Sequence, residues 1–303
     1  MAGFFLRVKF QKPALSFEAQ AGLALQRGLV ADRNRLIRRL HSVGYYRLCG
    51  YWHHFQQPDD SFKPGTDFEH VWMTYNFDRR LRVIVMEAIE RVEVAVRCET
   101  YTELVLRDGP FAHLNAANFP NAKAGQHGEL VARLRDEAQR SKEPFVLHFR
   151  NRYDEFPDLP LWAACQIMSF GNVLTLLNMS ASDIRPNIAG KYGVQDNVFA
   201  SWLLTLNSIR NICAHHSRLW NRELGLKPLI PNRKNGPQWH DGKIPIHNNR
   251  VFVVLTILRL MQQEVAPRSH WRDRLFHLFE AFPNIPLAPM GMRPDWRNHP
   301  LWR

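Results

Sequence analysis

The sequence predicts an all-α protein, built as a helical bundle with an N-terminal helical extension. Hydrophobic residues recur at the spacing of helices along most of the chain, and no run keeps the two-residue period of a strand for long. With 45% hydrophobic and 12% aromatic residues, the 303-residue chain can bury a large core. We expect the extension at residues 1–65, one continuous helical domain at 66–282, and a tail at 283–303 that packs on the core.

Two short helices are predicted in the extension. Ser16 can begin the first, because a serine side chain accepts a hydrogen bond from the free backbone N–H groups of a helix start. Gly28 can end it. Asp32 can begin the second, whose leucines fall on one stripe and whose arginines face away, until Gly44 ends it.

The stretch YYRLCGYWHHF, residues 45–55, interleaves aromatic side chains with an arginine. Tyr45 and Tyr46 can stack on unpaired bases while Arg47 binds phosphate, as in proteins that bind single strands. Aromatic residues this dense in a helical protein more commonly fill a core. The preceding basic run RNRLIRRL, residues 33–40, is either a solvated face or a surface that follows a phosphate backbone.

The longest helix is predicted to run from residue 66 until Gly109 and Pro110 interrupt its pattern. Thr66 and Glu69 have the spacing of a capping box, in which each side chain binds a free backbone N–H group near the helix start. Further helices are predicted at residues 126–141, 144–153, 161–178, 183–192, 249–263 and 269–282.

Another predicted helix, capped by Asp196, carries polar residues within an apolar pattern. At about 100° per residue, Asn207, Asn211 and His215 lie on one face of this helix, and Arg210 lies at its flank. Histidine moves protons near neutral pH, and arginine binds phosphate through a forked pair of donors. These groups suffice for RNA cleavage in which the ribose 2′-hydroxyl attacks the adjacent phosphorus, His215 moves a proton and Arg210 stabilises the growing charge.

Other interpretations of the same residues remain open. An isolated Arg, Asn and His on a helix commonly form a satisfied hydrogen-bond network or a solvated face. Zinc-binding histidines on a helix usually sit four residues apart, whereas His215 and His216 are adjacent, so no metal ligand is named. Arg218 and Arg222 continue the positive charge one and two helical turns further on. The RNA-binding candidates are Asn207, Arg218, Arg222, Tyr45, Tyr46 and Arg47.

The composition favours a polyanionic partner. A formal net charge of +12 attracts nucleic acid. The apolar run VFVVLTIL from Val251 is much shorter than the about 20 residues that a membrane span needs, so no membrane partner is expected. Arg7 and Lys9 interrupt the opening MAGFFLRVKF too early for a signal sequence. Four cysteines without a C-x-x-C pair suit small buried residues in a reducing compartment, which predicts a cytoplasmic protein.

Several blocks of sequence occur in the order seen in one family of bacterial proteins. They are KPALSFEAQAGLALQRGL from Lys12, SVGYYRLCGYW from Ser42, EAIERVEVAVR from Glu87, PLWAACQIMSFGNVLTLL from Pro160, RNICAHHSRLWNR from Arg210, and the ending MGMRPDWRNHPLW. With these blocks the chain resembles the Abi family of abortive-infection proteins, in particular its AbiD/AbiF-like group.

The resemblance implies a HEPN-like helical domain, whose signature R-x4-6-H is matched by Arg210, Asn211 and His215. HEPN proteins are commonly metal-independent ribonucleases, and two of their motifs usually face each other to form one site. Because this chain has one good motif, the resemblance implies a homodimer in which Arg210 and His215 of each copy meet. Gln166 stands where the family commonly has a glutamate, so no carboxylate role is assigned there.

Together these observations predict a metal-independent endoribonuclease of phage defence or of a toxin–antitoxin pair, with no cofactor. Its catalytic residues would be Arg210, Asn211 and His215. The alternative is a non-catalytic module that uses the same residues to hold a structured non-coding RNA in a toxin–antitoxin or defence complex. A helical scaffold that acts through protein contacts is the third interpretation.

Overall fold

A computed structural model of the protein confirms the all-α prediction. It describes Lys9 and residues 13–303, so most of the opening MAGFFLRVKF, on which the signal-sequence prediction rests, lies outside the described residues. Within the described residues there are twelve α-helices and no strand. The helices are α1 Phe17–Gln26, α2 Arg33–Val43, α3 Tyr45–Trp52, α4 Phe68–Asp108, α5 Gln126–Arg140, α6 Pro144–Arg152, α7 Leu161–Ile167, α8 Phe170–Met179, α9 Ile184–Lys191, α10 Asp196–Ala214, α11 Val251–Val265 and α12 Trp271–Ala281.

The chain divides into two compact units, one up to Asp78 and one from Arg79 onward, and the division falls within α4. In the first unit, the predicted helix starts are confirmed. The Ser16 hydroxyl accepts a hydrogen bond from a backbone N–H group of α1 at 3.3 Å, and the Asp32 carboxylate accepts one from α2 at 2.7 Å. The core of this unit contains side chains from all three of its short helices, among them Ala21, Leu36, Leu40, Leu48 and Trp52.

The capping box predicted at the start of α4 is wrong. The Thr66 hydroxyl donates to the carbonyl of Lys63 at 2.7 Å instead of accepting from the helix. Asp67 accepts the backbone N–H of Glu69 at 2.9 Å, and the Glu69 carboxylate binds Arg35 of α2 at 2.6 Å. An ion pair within the first unit therefore uses the carboxylate that the capping box requires.

The predicted helix at residues 161–178 consists of two helices, α7 and α8. Ser169 separates them, because its hydroxyl accepts a hydrogen bond from the first turn of α8 at 3.2 Å. Arg97 of α4 donates to the carbonyls of Cys165 and Met168, the second at 2.8 Å. The buried Arg97 guanidinium thus donates hydrogen bonds to carbonyls at the end of α7. In a continuous helix, backbone N–H groups of the next turn would have donated to these carbonyls.

The core of the second unit is organised around α11, whose residues are buried on nearly all sides. Gln262 of α11 donates to the carbonyl of Ala88 on α4 at 2.9 Å. Trp271 of α12 donates to the carbonyl of Ile84 on α4 at 2.8 Å. Across the described part of the chain, no helix, α11 included, combines the length and hydropathy that crossing a membrane requires.

None of the four cysteines, all of which lie in the described part of the chain, forms a disulfide, and their surroundings differ. Cys165 and Cys213 are buried and Cys49 is half-buried, as expected for small residues that fill space. Burial raises the pKa of the Cys165 thiol to about 12. The expectation of burial is wrong for Cys98, which is exposed on α4.

The stability of the folded state depends on pH through His113, which is buried with 3% of its surface exposed. Burial lowers its pKa from 6.5 to about 4, against the opposing influence of Asp158. The unfolded chain takes up this proton at higher pH than the folded chain does. His113 therefore favours the folded state above about pH 6.5, and this contribution is lost as the pH falls towards 4.

We expect the variant His113→Phe, which keeps a ring but cannot bind a proton, to be less sensitive to acid than the wild type. Between about pH 7 and about pH 5 its melting temperature should fall less, as measured by circular dichroism. Part of the acid sensitivity should remain, because burial also lowers the pKa of His299. An equal fall in both proteins would contradict the role of His113.

Candidate functional site

The candidate site lies at the carboxyl end of α10, where a defined turn stops the helix. The backbone N–H of His216 donates to the carbonyl of Cys213 at 3.0 Å, and that of Ser217 donates to Ile212 at 2.9 Å. This pair of hydrogen bonds is a Schellman motif. His216 has a φ of 56°, the left-handed conformation that glycine usually supplies at this position. His215 is consequently the cap residue and not an interior residue of the helix.

The prediction that this helix continues through Arg218 and Arg222 is wrong, because both residues follow the turn. Each is half-buried, and Arg222 donates its Nε–H to the carbonyl of Arg218 at 2.8 Å. Between them Trp220 is 1% exposed, and its indole donates to the carbonyl of Pro286 at 3.1 Å. The buried Trp220 side chain thus anchors the segment that follows the end of α10.

The start of α10 also differs from the prediction, because Asp196 does not cap it. The cap residue is Gln195, and Asp196 is the first residue of the helix. The Asp196 carboxylate binds the guanidinium of Arg185 through two hydrogen bonds, of which the one from Nη2 measures 2.8 Å. Like Glu69 in the first unit, this carboxylate binds an arginine from another helix instead of a backbone N–H group.

The three predicted catalytic residues lie within about one turn at the end of α10. The backbone N–H of His215 donates to the carbonyl of Asn211 at 3.0 Å, and Nη1 of Arg210 lies 3.5 Å from Oδ1 of Asn211. Asn211 and His215 are exposed, and the Arg210 side chain is 41% exposed. A guanidinium, an amide and an imidazole, each at least partly exposed, therefore lie within six residues at this end of the helix.

Arg210 is held by a carboxylate that the sequence analysis did not identify. Its Nε lies 3.8 Å from Oε2 of Glu93 on α4, while Oε1 of Glu93 accepts a hydrogen bond from Arg97 at 2.7 Å. The Glu93 and Arg97 side chains are 15% and 10% exposed. A separation of 3.8 Å is an ion pair without a direct hydrogen bond, so Glu93 attracts the Arg210 guanidinium without accepting one of its N–H groups.

Asn207 and Gln166 occupy different surroundings near this site. The half-buried Asn207 side chain faces the first turn of α8, because its Nδ2 lies 3.6 Å from the position that a Cβ on Gly171 would take. Gln166 is exposed on α7 and donates to the carbonyl of Trp162 at 3.3 Å. Asn207 is thus placed against α8, one helical turn from Asn211.

No group of three or more His, Cys, Asp or Glu side chains within the described residues is arranged to hold a metal ion. His215 and His216 are exposed neighbours, but the turn between them directs their backbones differently, with φ values of −84° and 56°.

The aromatic residues predicted to bind RNA lie on α3 in the first unit, and they differ in how far they are buried. Tyr45 is half-buried and packs edge-to-face on Trp52, with 5.1 Å between the ring centroids. Burial raises the pKa of the Tyr45 hydroxyl. Tyr46 is 92% exposed, and Arg47 is exposed beside it. Packing therefore accounts for Tyr45 and leaves Tyr46 unexplained.

Comparison with known proteins gives one match. No curated protein and no solved structure matches the chain significantly. The model of the Abi-like protein family matches residues 38–221, more than half of the chain. The matched range includes the whole of α10 and the residues Arg210, Asn211 and His215. The chain belongs to the Abi-like protein family.

Proposed function

We propose that the protein is a metal-independent endoribonuclease of the HEPN type that acts in phage defence. The observation that carries the proposal is the end of α10, where one turn exposes Arg210, Asn211 and His215 together. Glu93 supports it, because its carboxylate orients the Arg210 guanidinium at 3.8 Å. Membership in the Abi-like protein family supports the role in abortive infection.

The reaction needs a proton removed at one oxygen and a proton supplied at another. The ribose 2′-oxygen loses its proton, forms a bond to the adjacent phosphorus, and the bond from phosphorus to the 5′-oxygen breaks. The 5′-oxygen takes a proton, and the products carry a 2′,3′-cyclic phosphate and a 5′-hydroxyl. A neutral imidazole can accept the first proton and an imidazolium can supply the second, which are the roles proposed for His215.

Arg210 has the electrostatic role in this proposal. Negative charge grows on the non-bridging phosphate oxygens as the 2′-oxygen attacks, and a forked guanidinium matches two of those oxygens. Asn211 either orients Arg210, whose Nη1 is 3.5 Å from its side-chain oxygen, or donates its own amide to the phosphate. We further propose a homodimer, in which a second copy of His215 would let one imidazole accept while the other donates.

The test incubates purified protein with a labelled RNA in the presence of a metal chelator. The wild type should cleave, leave cyclic phosphate ends, and fail on the same oligonucleotide with deoxyribose at the cleaved position. His215→Ala should not cleave, while His270→Ala, which removes a histidine that is 84% exposed on the same unit, should cleave normally. Light scattering on the same samples tests the dimer.

Cleavage of the deoxyribose substrate, or cleavage by His215→Ala at the wild-type rate, would exclude this mechanism. RNA that is bound by the wild type but recovered intact would favour the non-catalytic RNA-binding module instead. In that case log affinity should fall linearly with log salt concentration, because phosphate binding releases counterions.

A further inference from the structure

The first unit carries a segment of one charge sign. Residues 33–58, which contain α2 and α3, hold five arginines and no aspartate or glutamate. From residue 13 to residue 78 this unit holds seven lysines and arginines and seven aspartates and glutamates, and all seven acidic residues lie outside the segment. The positive charge is therefore concentrated on two neighbouring helices and not spread over the unit.

Arg35 and Arg39 make contacts that hold the unit together. Arg35 binds Glu69 at 2.6 Å, and the Arg39 guanidinium lies 4.2 Å from the centroid of the Trp72 ring. Both contacts hold α2 against the beginning of α4. Arg33, Arg38 and Arg47 are exposed.

One side of α2 is exposed, and the helix that follows it in sequence carries an exposed aromatic ring. Asn34, Arg38 and His41 are spaced four and three residues apart and are all exposed, so they share one side of the helix. Just after Gly44 ends α2, Tyr46 is 92% exposed. A tyrosine in this position buries almost no surface within the unit, so its ring is accessible to a partner.

The chemistry of this face fits an unpaired nucleotide, which offers both a flat ring and a phosphate. A membrane surface fits poorly, because interfacial helices insert apolar side chains and those of α2 and α3 are committed to the core. Leu36, Leu40 and Leu48 are each 0% exposed. An acidic protein would pair with the arginines but would not require the ring.

We propose that the Tyr46 face, defined by Arg38, His41, Tyr46 and Arg47, binds unpaired RNA. A base stacks on the Tyr46 ring, and the flanking phosphates lie against Arg38 and Arg47. Aromatic stacking tolerates any base, so this face grips single strands without reading a particular sequence. The identification of the strand as RNA rests on the proposed ribonuclease function, whereas the stacking and the charge do not.

The test measures binding of a short, labelled, single-stranded RNA to the full chain carrying His215→Ala, by fluorescence anisotropy. Adding Tyr46→Ala should weaken binding by roughly fivefold to a hundredfold, while Tyr46→Phe should retain it. Arg38→Gln should reduce the slope of log affinity against log salt by about 0.7, the value for one lost phosphate contact on a single strand. The control is Tyr153→Ala, which removes a tyrosine that is 47% exposed in the second unit.

Unchanged affinity in Tyr46→Ala, an equal loss in Tyr153→Ala, or the absence of RNA binding would overturn the proposal. The proposal would also be overturned if an acidic peptide displaced the RNA and the affinity for RNA did not depend on Tyr46. Loss of binding in Tyr46→Ala with no cleavage by the wild type would reject the nuclease and keep this face. Cleavage by the wild type, with no effect of Tyr46→Ala on binding, would keep the nuclease and reject this face.

Discussion

Arg210→Ala is expected to cleave RNA about 10²- to 10³-fold more slowly than the wild type in single-turnover assays. The guanidinium supplies the positive charge that meets the developing charge on phosphate, and alanine leaves that charge to water. Arg210→Lys should recover only part of the rate, because an ammonium group is a point charge and lacks the forked pair of donors. Binding of intact RNA should weaken much less than the rate falls.

The matched control for this variant is Arg133→Ala, which removes an arginine that is 54% exposed on α5, lies 3.6 Å from the Glu129 carboxylate and donates to the Glu129 carbonyl at 3.2 Å. It should cleave at the wild-type rate. If Arg210→Ala keeps the wild-type rate while Arg133→Ala does too, the guanidinium has no role in the reaction and the proposed mechanism is wrong. Melting temperatures of both variants show whether each protein is folded.

Arg97→Met is expected to lower the free energy of unfolding by about 3–5 kcal/mol. The guanidinium is 10% exposed, binds Glu93 at 2.7 Å and donates to the carbonyls of Cys165 and Met168. Methionine fills much of the volume but leaves the largely buried Glu93 carboxylate with the more distant Arg210, 3.8 Å away, as its ion-pair partner. Urea denaturation followed by circular dichroism measures the change.

A second arginine on the same helix gives the comparison. Arg91 pairs with Glu87 at 3.3 Å, and the two side chains are 40% and 34% exposed. Arg91→Met should cost no more than about 1 kcal/mol, since exposed pairs contribute little. The double variant Glu93→Gln with Arg97→Met should be less destabilised than Arg97→Met alone. Equal losses from the two single arginine variants would show that the burial of the Glu93–Arg97 pair has no special importance.

Features that depend on neighbouring residues were predictable from the sequence. Ser16 and Asp32 cap their helices through hydrogen bonds that span three residues, and no distant group competes for them. The capping box at Thr66 failed because Arg35, distant in sequence, takes the Glu69 carboxylate. A local pattern cannot reveal such a competitor before the fold brings it close.

In the candidate site, too, the features set by neighbouring residues were predictable and those set by distant residues were not. Arg210, Asn211 and His215 were predicted as candidates from their spacing, since Arg210 and Asn211 lie on α10 and His215 is its cap residue. The spacing of Glu93 and Arg97 suggests a pair within α4, but its contact with Arg210 depends on how α4 and α10 pack. The end of α10 could not be predicted because His216, and not glycine, adopts the left-handed conformation there.

At the end of α10, the two side chains proposed to act on RNA have backbone supports of unequal stiffness. Arg210 sits within the regular hydrogen bonding of the helix, whereas His215 joins it to residues 217–250, which contain no α-helix. Rearrangement of that connecting segment would displace the imidazole relative to the guanidinium without breaking the helical hydrogen bonds before it. In the proposed mechanism, such a rearrangement would change the distance between the His215 imidazole and the Arg210 guanidinium, and it would give an inhibitor or a trigger a physical means of acting on the proposed site.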